Sequence, residues 1–333
     1  MPDQFCYNPW SITREQKDAG QTILNHTIDK ANRFQKSHGP AGFIYAVIKK
    51  YSDDNGGYQA ALLTYYGFLS IFPLLIVVVS VLEILLRSRP DIQDDLVNHA
   101  IQYFPILGDE LQSNIHAPHW SGIGLVIGVL FTLWGAKGVA DVFRYSLNHI
   151  WHVPRVKRPG FPAGALKSFL VILFIAGGFV GAAFLSGFAA SLDKTTLFRI
   201  VASLVSITVL FAVFWVVFRI GLADYAKAGN AALFLSAISA AIGIQILQII
   251  GGYLITHELN QLTHLYGAFA ATLGLFFWIY LQARVIMYAI EIGVVYERKL
   301  WPRSLTNQHL TAADKEIYGQ HAKHEPYALP EKE

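Results

Sequence analysis

The sequence predicts an all-α polytopic membrane protein with six transmembrane helices and both termini in the cytoplasm. Three observations carry that expectation. The 333 residues are 53% hydrophobic and only 15% charged, against about 25% charge in a typical soluble domain. Six apolar runs approach or exceed the roughly 20 residues needed to cross about 30 Å of hydrocarbon. Lys and Arg gather at alternate ends of those runs, the asymmetry that sets orientation.

The first run covers residues 58–82 and stays uncharged up to Glu83. It contains Pro73, which has no backbone N–H and strands the carbonyl of Leu69, so a kink or hinge is expected, with Ser70 close enough to serve the freed groups. The second, 120–136, leads into GAKGVADVFRYSLNHIW. The third, 169–192, carries small residues four apart, among them Gly177 with Gly181 and Gly178 with Ala182, a face that lets helices approach closely. That face serves packing within the chain or between copies in a homo-oligomer; the first needs no further assumption. The fourth run is 200–218. The fifth, 231–256, contains Gln245 and Gln248. The sixth starts near Tyr266, is apolar to Ala283, and carries Arg284 and Glu291 before ending near Tyr296.

Seven Lys and Arg precede the first span, four (Arg155, Lys157, Arg158, Lys167) lie between the second and third, and Arg298, Lys299 and Arg303 follow the sixth. The opposite connections carry Arg87 and Arg89, Lys194 and Arg199, and none. By the positive-inside rule the termini are cytoplasmic. The organisation expected is a cytoplasmic N-terminal region (1–55), a membrane domain (56–300) and a flexible cytoplasmic tail (301–333). Trp120, Trp151 and Trp301 fall near span ends, as an interfacial belt would place them. Between spans 1 and 2, Ile92, Leu96, Val97, Ala100 and Phe104 recur at helical spacing, which predicts an amphipathic helix on the outer face.

Cys6 is the single cysteine, so neither an internal disulfide nor a cysteine metal motif is available. The first residues lack a signal-peptide core, which leaves the first apolar helix as the targeting signal. The isoelectric point of about 8.8 reflects basic residues flanking apolar runs, an arrangement suited to anionic lipid headgroups rather than nucleic acid. His116, His119, His257, Glu258 and His264 share the outer side; solvated interfacial histidines account for them, and neither a metal nor a cofactor is expected.

Lys137, Asp141, Arg144 and Asn148 follow one another at steps of four, three and four, so they share one helix face. They form an ion-pair ladder on a helix entering the inner headgroups, or they face a polar cavity open to an anionic headgroup. Arg284 and Glu291 are seven apart on nearly one face, and Glu291 is expected to pair with Arg284, Lys137 or Arg144 from a neighbouring helix. Gln245 and Gln248 should also turn inward. Together the second, fifth and sixth spans would then line one polar interior.

ALLTYYGFLSIFPLLIVVVSVL in the first span, SLNHIWHVPRVKR after the second and YGAFAATLGLFFWIYLQARVIMYAIEIGVV in the sixth resemble the YihY/BrkB family of bacterial inner-membrane proteins, over roughly residues 45–300. The Ser-x-Phe-Pro, Asn-x-x-Trp, Tyr-Gly and Ala-x-Glu features sit in family order. GLADYAKAGNAALF lacks the proline common after the fourth span, and Ala289 stands where many members have glycine. The resemblance implies six helices in the inner membrane and roles that include movement of lipid or lipopolysaccharide precursors and serum resistance. The family's older label, ribonuclease BN, is a misassignment.

The function expected is a transporter or flippase for an anionic amphipathic substrate, a lipid or lipid-linked precursor. The alternative is a membrane scaffold or envelope-integrity factor that moves nothing. No phosphate-binding loop of the form G-x-x-x-x-G-K-[ST] is present, so ATP would not drive transport directly. An enzyme is not expected: Asp53, Asp54 and Asp224 are scattered without metal-ligand spacing.

Overall fold

A computed structural model describes residues 39–86, 122–192, 196–254, 260–304 and 310–324, and among these every regular element is helical. The α-helices are α1 (Gly39–Asp53), α2 (Gly56–Leu86), α3 (Gly122–Ile150), α4 (Ala163–Leu192), α5 (Thr196–Gly221), α6 (Asn230–Leu254), α7 (Asn260–Arg298) and α8 (Ala312–His324). The apolar runs of the sequence fall one apiece in α2 to α7. Among the described residues, three stretches are long and apolar enough to cross a membrane: Leu204–Gly221, Asn230–Gln248 and Thr272–Arg298. The outer connection that holds the expected amphipathic helix, with His116 and His119, lies outside the described residues, as do His257 and Glu258 and the side chain of His264.

The chain divides into two compact units, Lys50–Glu297 and Met1–Lys49 with Arg298–Glu333. In the larger unit, α2 packs on α3, α3 on α4 and α5, α4 on α5, and α5 on α6. Lipid is as apolar as leucine, so close packing rather than water exclusion must hold such helices together, and small residues at the contacts permit it. A methyl added at Gly135 would meet Ser70 Cβ of α2 at 3.0 Å, and one at Gly138 would meet Tyr66 Cδ1 at 2.6 Å. Gly178 of α4 is pressed against Val213 of α5, so this member of the small-residue face packs within the chain. Phe143 of α3 stacks on Phe218 of α5 with ring centroids 6.0 Å apart, a pairing worth about 0.5–1.5 kcal/mol. Leu210 of α5 and Ala241 and Ile244 of α6 are buried together, with Val285 and Ile286 of α7 packed against them.

α2 runs through Pro73 as one helix, and the Ser70 hydroxyl donates to the Gly67 carbonyl at 2.8 Å rather than serving Leu69. α3 continues well past its apolar run and stops at a two-bond C-cap. His152 N–H donates to His149 O at 2.8 Å and Val153 N–H to Asn148 O at 2.9 Å, with His152 at φ 53° in the left-handed region and Pro154 following. Trp151, expected in an interfacial belt, is 1% exposed: the turn that ends α3 folds it into the protein. Trp120 lies outside the described residues.

In the smaller unit the tail is not simply solvated. Thr311 and Asp314 form a capping box at the start of α8: the Asp314 carboxylate accepts from Thr311 N–H at 3.0 Å, while Asp314 N–H donates to Thr311 Oγ1 at 3.2 Å. The same carboxylate accepts from Ser304 N–H at 2.9 Å, Lys49 Nζ at 3.0 Å and Arg303 Nε at 2.9 Å. Burial alone would push the Asp314 carboxyl up; the donors from Ser304, Thr311 and Lys49 outweigh it and hold it well below the usual carboxylate range. Leu300 and Ile317 are buried in the same unit, and Trp301 meets Phe43 edge-on at 5.3 Å.

Candidate functional site

The most concentrated buried charge lies where the end of α1, the end of α3 and the lower half of α7 meet. Lys50, on the last turn of α1, is completely buried. Its ammonium has three protons and three acceptors: Asp54 Oδ2, Glu291 Oε2 at 2.9 Å, and the carbonyl of Ile150, the last residue of α3, at 3.1 Å. Burial lowers the pKa of this amine, but the carboxylates of Asp54 and Glu291 more than offset it and keep the amine charged. His152 brings its Nε2 to 3.5 Å from Asp54 Oδ1. Two carboxylates thus face one ammonium, with an imidazole alongside.

Local sequence explains the arrangement. Lys50 and Asp54 are four apart, the spacing of an intrahelical pair, and the α1 end is closed by Asp54 N–H donating to Lys50 O at 2.9 Å and by Asn55 at φ 54°. The left-handed turn at His152 points the chain so that this side chain meets Asp54. A non-glycine residue in that conformation is uncommon, and here the histidine supplies a contact glycine could not. Gly293, two residues past Glu291, lets α7 close on α6: a methyl there would overlap Ser236 Oγ and meet Ala232 O at 2.7 Å.

The eight residues expected along one polar interior do not all converge: Lys137, Asp141 and Arg144 form an ion-pair ladder along α3, with Arg144 Nη1 3.9 Å from Asp141 Oδ1, and among the described residues none of the three pairs with Gln245, Gln248, Arg284 or Glu291. Glu291 pairs with Lys50, not with Arg284, Lys137 or Arg144, because the unforeseen helix α1 carries a cation to it. Lys137 and Asp141 form an i, i+4 pair at 2.5 Å with side chains 56% and 41% exposed. Arg144 is spent on the start of α4, donating to Gly164 O at 2.6 Å and Ser168 Oγ at 2.7 Å, and Ser168 in turn donates to Asp141 Oδ1 at 2.5 Å. Asn148 closes the end of α5, donating to Gly221 O at 3.0 Å and accepting from Ala223 N–H at 2.9 Å. Gln245 accepts from Ser206 of α5 at 3.1 Å, while Gln248, one turn on, is exposed. Arg284 lies among Tyr51, Tyr280 and Tyr288.

Lys50 and Asp54 fall in the first 55 residues, which the sequence assigns to a region outside the membrane domain, and His152 follows the striped face of α3, where no spacing points to Asp54. The pattern KKYSDD, a lysine four before an acid after the apolar stretch GFIYAVI, was the available signal. Among the described residues no group of three or more His, Cys, Asp or Glu is placed to hold a metal.

A family model described as "Virulence factor BrkB" matches residues 47–314, from just before Lys50 to Asp314. The chain belongs to the BrkB family. Two relatives have comparable length. A UPF0761 membrane protein of Vibrio campbellii is 26% identical over 290 residues, covering 82% of this chain and 88% of the relative. A ribonuclease-like protein, YfkH, of Bacillus subtilis is 25% identical over 279 residues, covering 78% of this chain and 97% of the relative. No solved structure gives a significant match. This BrkB-family chain is therefore a membrane protein whose regular elements are helical among the described residues, and its matched region contains all of the buried charge described above.

Proposed function

We propose that the protein is a six-span inner-membrane transporter, with both termini cytoplasmic, that moves an anionic amphipathic molecule, a lipid or lipid-linked precursor, between leaflets. The observation that supports this is Glu291, a completely buried carboxylate on an apolar α7 stretch, joined to Lys50 from a different helix. Ionisable groups at membrane depth are costly and tend to mark pathways or moving parts. Two carboxylates, from Asp54 and Glu291, share the one ammonium of Lys50, which gives the node two ways of pairing. Such a latch could hold α1, α3 and α7 together in one state and release α7 in another, driven by an ion gradient or by equilibration of the substrate itself.

A second reading, a scaffold that moves nothing, is favoured by Arg144 and Asn148, whose donors go to the backbone ends of α4 and α5. Proteoliposomes containing fluorescent phosphatidylglycerol separate the two. If the full chain exchanges lipid between leaflets faster than protein-free vesicles do, transport stands; equal rates favour the scaffold.

A further inference from the structure

Arg284 belongs to the apolar helical stretch Thr272–Arg298, and a guanidinium there requires a compensating partner. Its expected partner Glu291 is bound to Lys50. Among the described residues no Asp or Glu lies within ion-pair distance of Arg284. Three tyrosine rings surround it instead, with centroids 5.9 Å (Tyr51), 5.7 Å (Tyr280) and 5.9 Å (Tyr288) from the guanidinium carbon.

Tyr51 and Tyr288 stack on each other at 3.9 Å with planes 12° apart, so two walls of this cradle are held in place from separate helices. The buried Tyr51 hydroxyl has Arg284 as its polar neighbour and no hydrogen bond to any other described residue. Arg284 itself is only part-buried. The Tyr288 and Tyr51 hydroxyls engage part of the guanidinium fork, but neutral phenols leave its charge without a counter-ion. A part-exposed guanidinium with no carboxylate to balance it suits a group with several anionic oxygens, and guanidinium meets phosphoryl oxygens two at a time.

We propose that Arg284, with Tyr51, Tyr280 and Tyr288, binds a phosphoryl group, carried by a lipid headgroup or present as inorganic phosphate. This names the substrate class of the proposed transporter and rests on that reading for its role, although binding is measurable without transport.

The test uses the purified full chain in detergent, titrated by calorimetry with dioctanoyl phosphatidic acid, dioctanoylglycerol and inorganic phosphate. Wild type should bind the phosphatidic acid and not the phosphate-free glyceride. Arg284→Gln should weaken binding about ten- to a hundredfold, as loss of a charge-assisted hydrogen bond does. Tyr51→Phe, which keeps charge and ring packing, should weaken it several-fold. Competition by inorganic phosphate would assign the site to the phosphoryl group from either source; binding of the lipid without such competition would assign it to headgroups. Unchanged affinity in Arg284→Gln, or equal binding of the glyceride, overturns the proposal, and if Arg284→Gln does not fold, unchanged affinity in Tyr51→Phe does so. Binding without lipid movement in proteoliposomes refutes transport alone, whereas movement without Arg284-dependent binding refutes this site alone.

Discussion

Glu291 reaches Lys50, 241 positions away in sequence, with Oε2 2.9 Å from Nζ and both side chains fully buried. Removing one partner leaves an uncompensated buried charge, which typically costs about 3–5 kcal/mol. Lys50→Met is therefore expected to lower stability by that amount, and Lys50→Met with Glu291→Leu by less than the sum of the two single changes. Denaturant titration of the four proteins in detergent measures the coupling. Strict additivity would mean the two side chains do not sustain each other.

His152 occupies a left-handed turn at φ 53°. Glycine adopts this conformation freely, and β-branched residues resist it. His152→Gly should retain most of the stability while losing the contact to Asp54. His152→Val should be less stable than His152→Gly by about 1–2 kcal/mol, the cost of a left-handed residue bearing a crowded Cβ. Thermal unfolding that ranks valine at or above glycine would contradict the backbone role given to this position.

Gly293→Ala is expected to cost about 1–3 kcal/mol, the usual penalty for overpacking, since the added methyl overlaps Ser236 Oγ and meets the Ala232 carbonyl. Gly274→Ala on the same helix is the control: nothing lies within 4 Å of the added methyl, so helix propensity should make it neutral or stabilising. Similar losses at both positions would show that the tight approach of α7 to α6 is not what limits Gly293.

Asp314 sets an acid limit on the smaller unit. Its carboxyl is held below its ordinary range in the folded state, so the stability it contributes is present above about pH 4 and is lost as pH falls through that range and below. Hydrogen exchange of α8 should accelerate as pH is lowered, after correction for the intrinsic pH dependence of exchange. Asp314→Asn should show fast exchange at neutral pH and little further change on acidification. A wild-type profile matching that of Asp314→Asn would remove the carboxylate from the account.

The helices were legible because long apolar runs at 58–82, 169–192 and 200–218 have few other physical solutions, and the family was legible because its motifs are spread along the chain. The pairing was not. Spacing places Lys137, Asp141, Arg144 and Asn148 on one face of α3, but it cannot say that this face meets the start of α4 and the end of α5. There Asn148 satisfies backbone groups that the end of α5 leaves open, while Arg144 bonds the Gly164 carbonyl and the Ser168 hydroxyl in the first turns of α4. Nor can it reveal that a short helix ahead of α2 brings Lys50 to Glu291, which needs three segments far apart in sequence to converge. Trp151 misled for a related reason: a tryptophan near the end of an apolar run suits an interface equally well as a buried turn, and only the C-cap at His152 decides between them.

The most direct measurement of the central claim is leaflet exchange of fluorescent phosphatidylglycerol in proteoliposomes, with wild type, Glu291→Gln and the exposed-pair variant Lys137→Gln matched for amount of folded protein. Exchange well above the protein-free rate, retained in Lys137→Gln and slowed about tenfold or more in Glu291→Gln, the loss of rate that roughly 1.4 kcal/mol added to a barrier produces, is the expected result. Exchange that is absent from the wild type, or identical in wild type and Glu291→Gln, would contradict it.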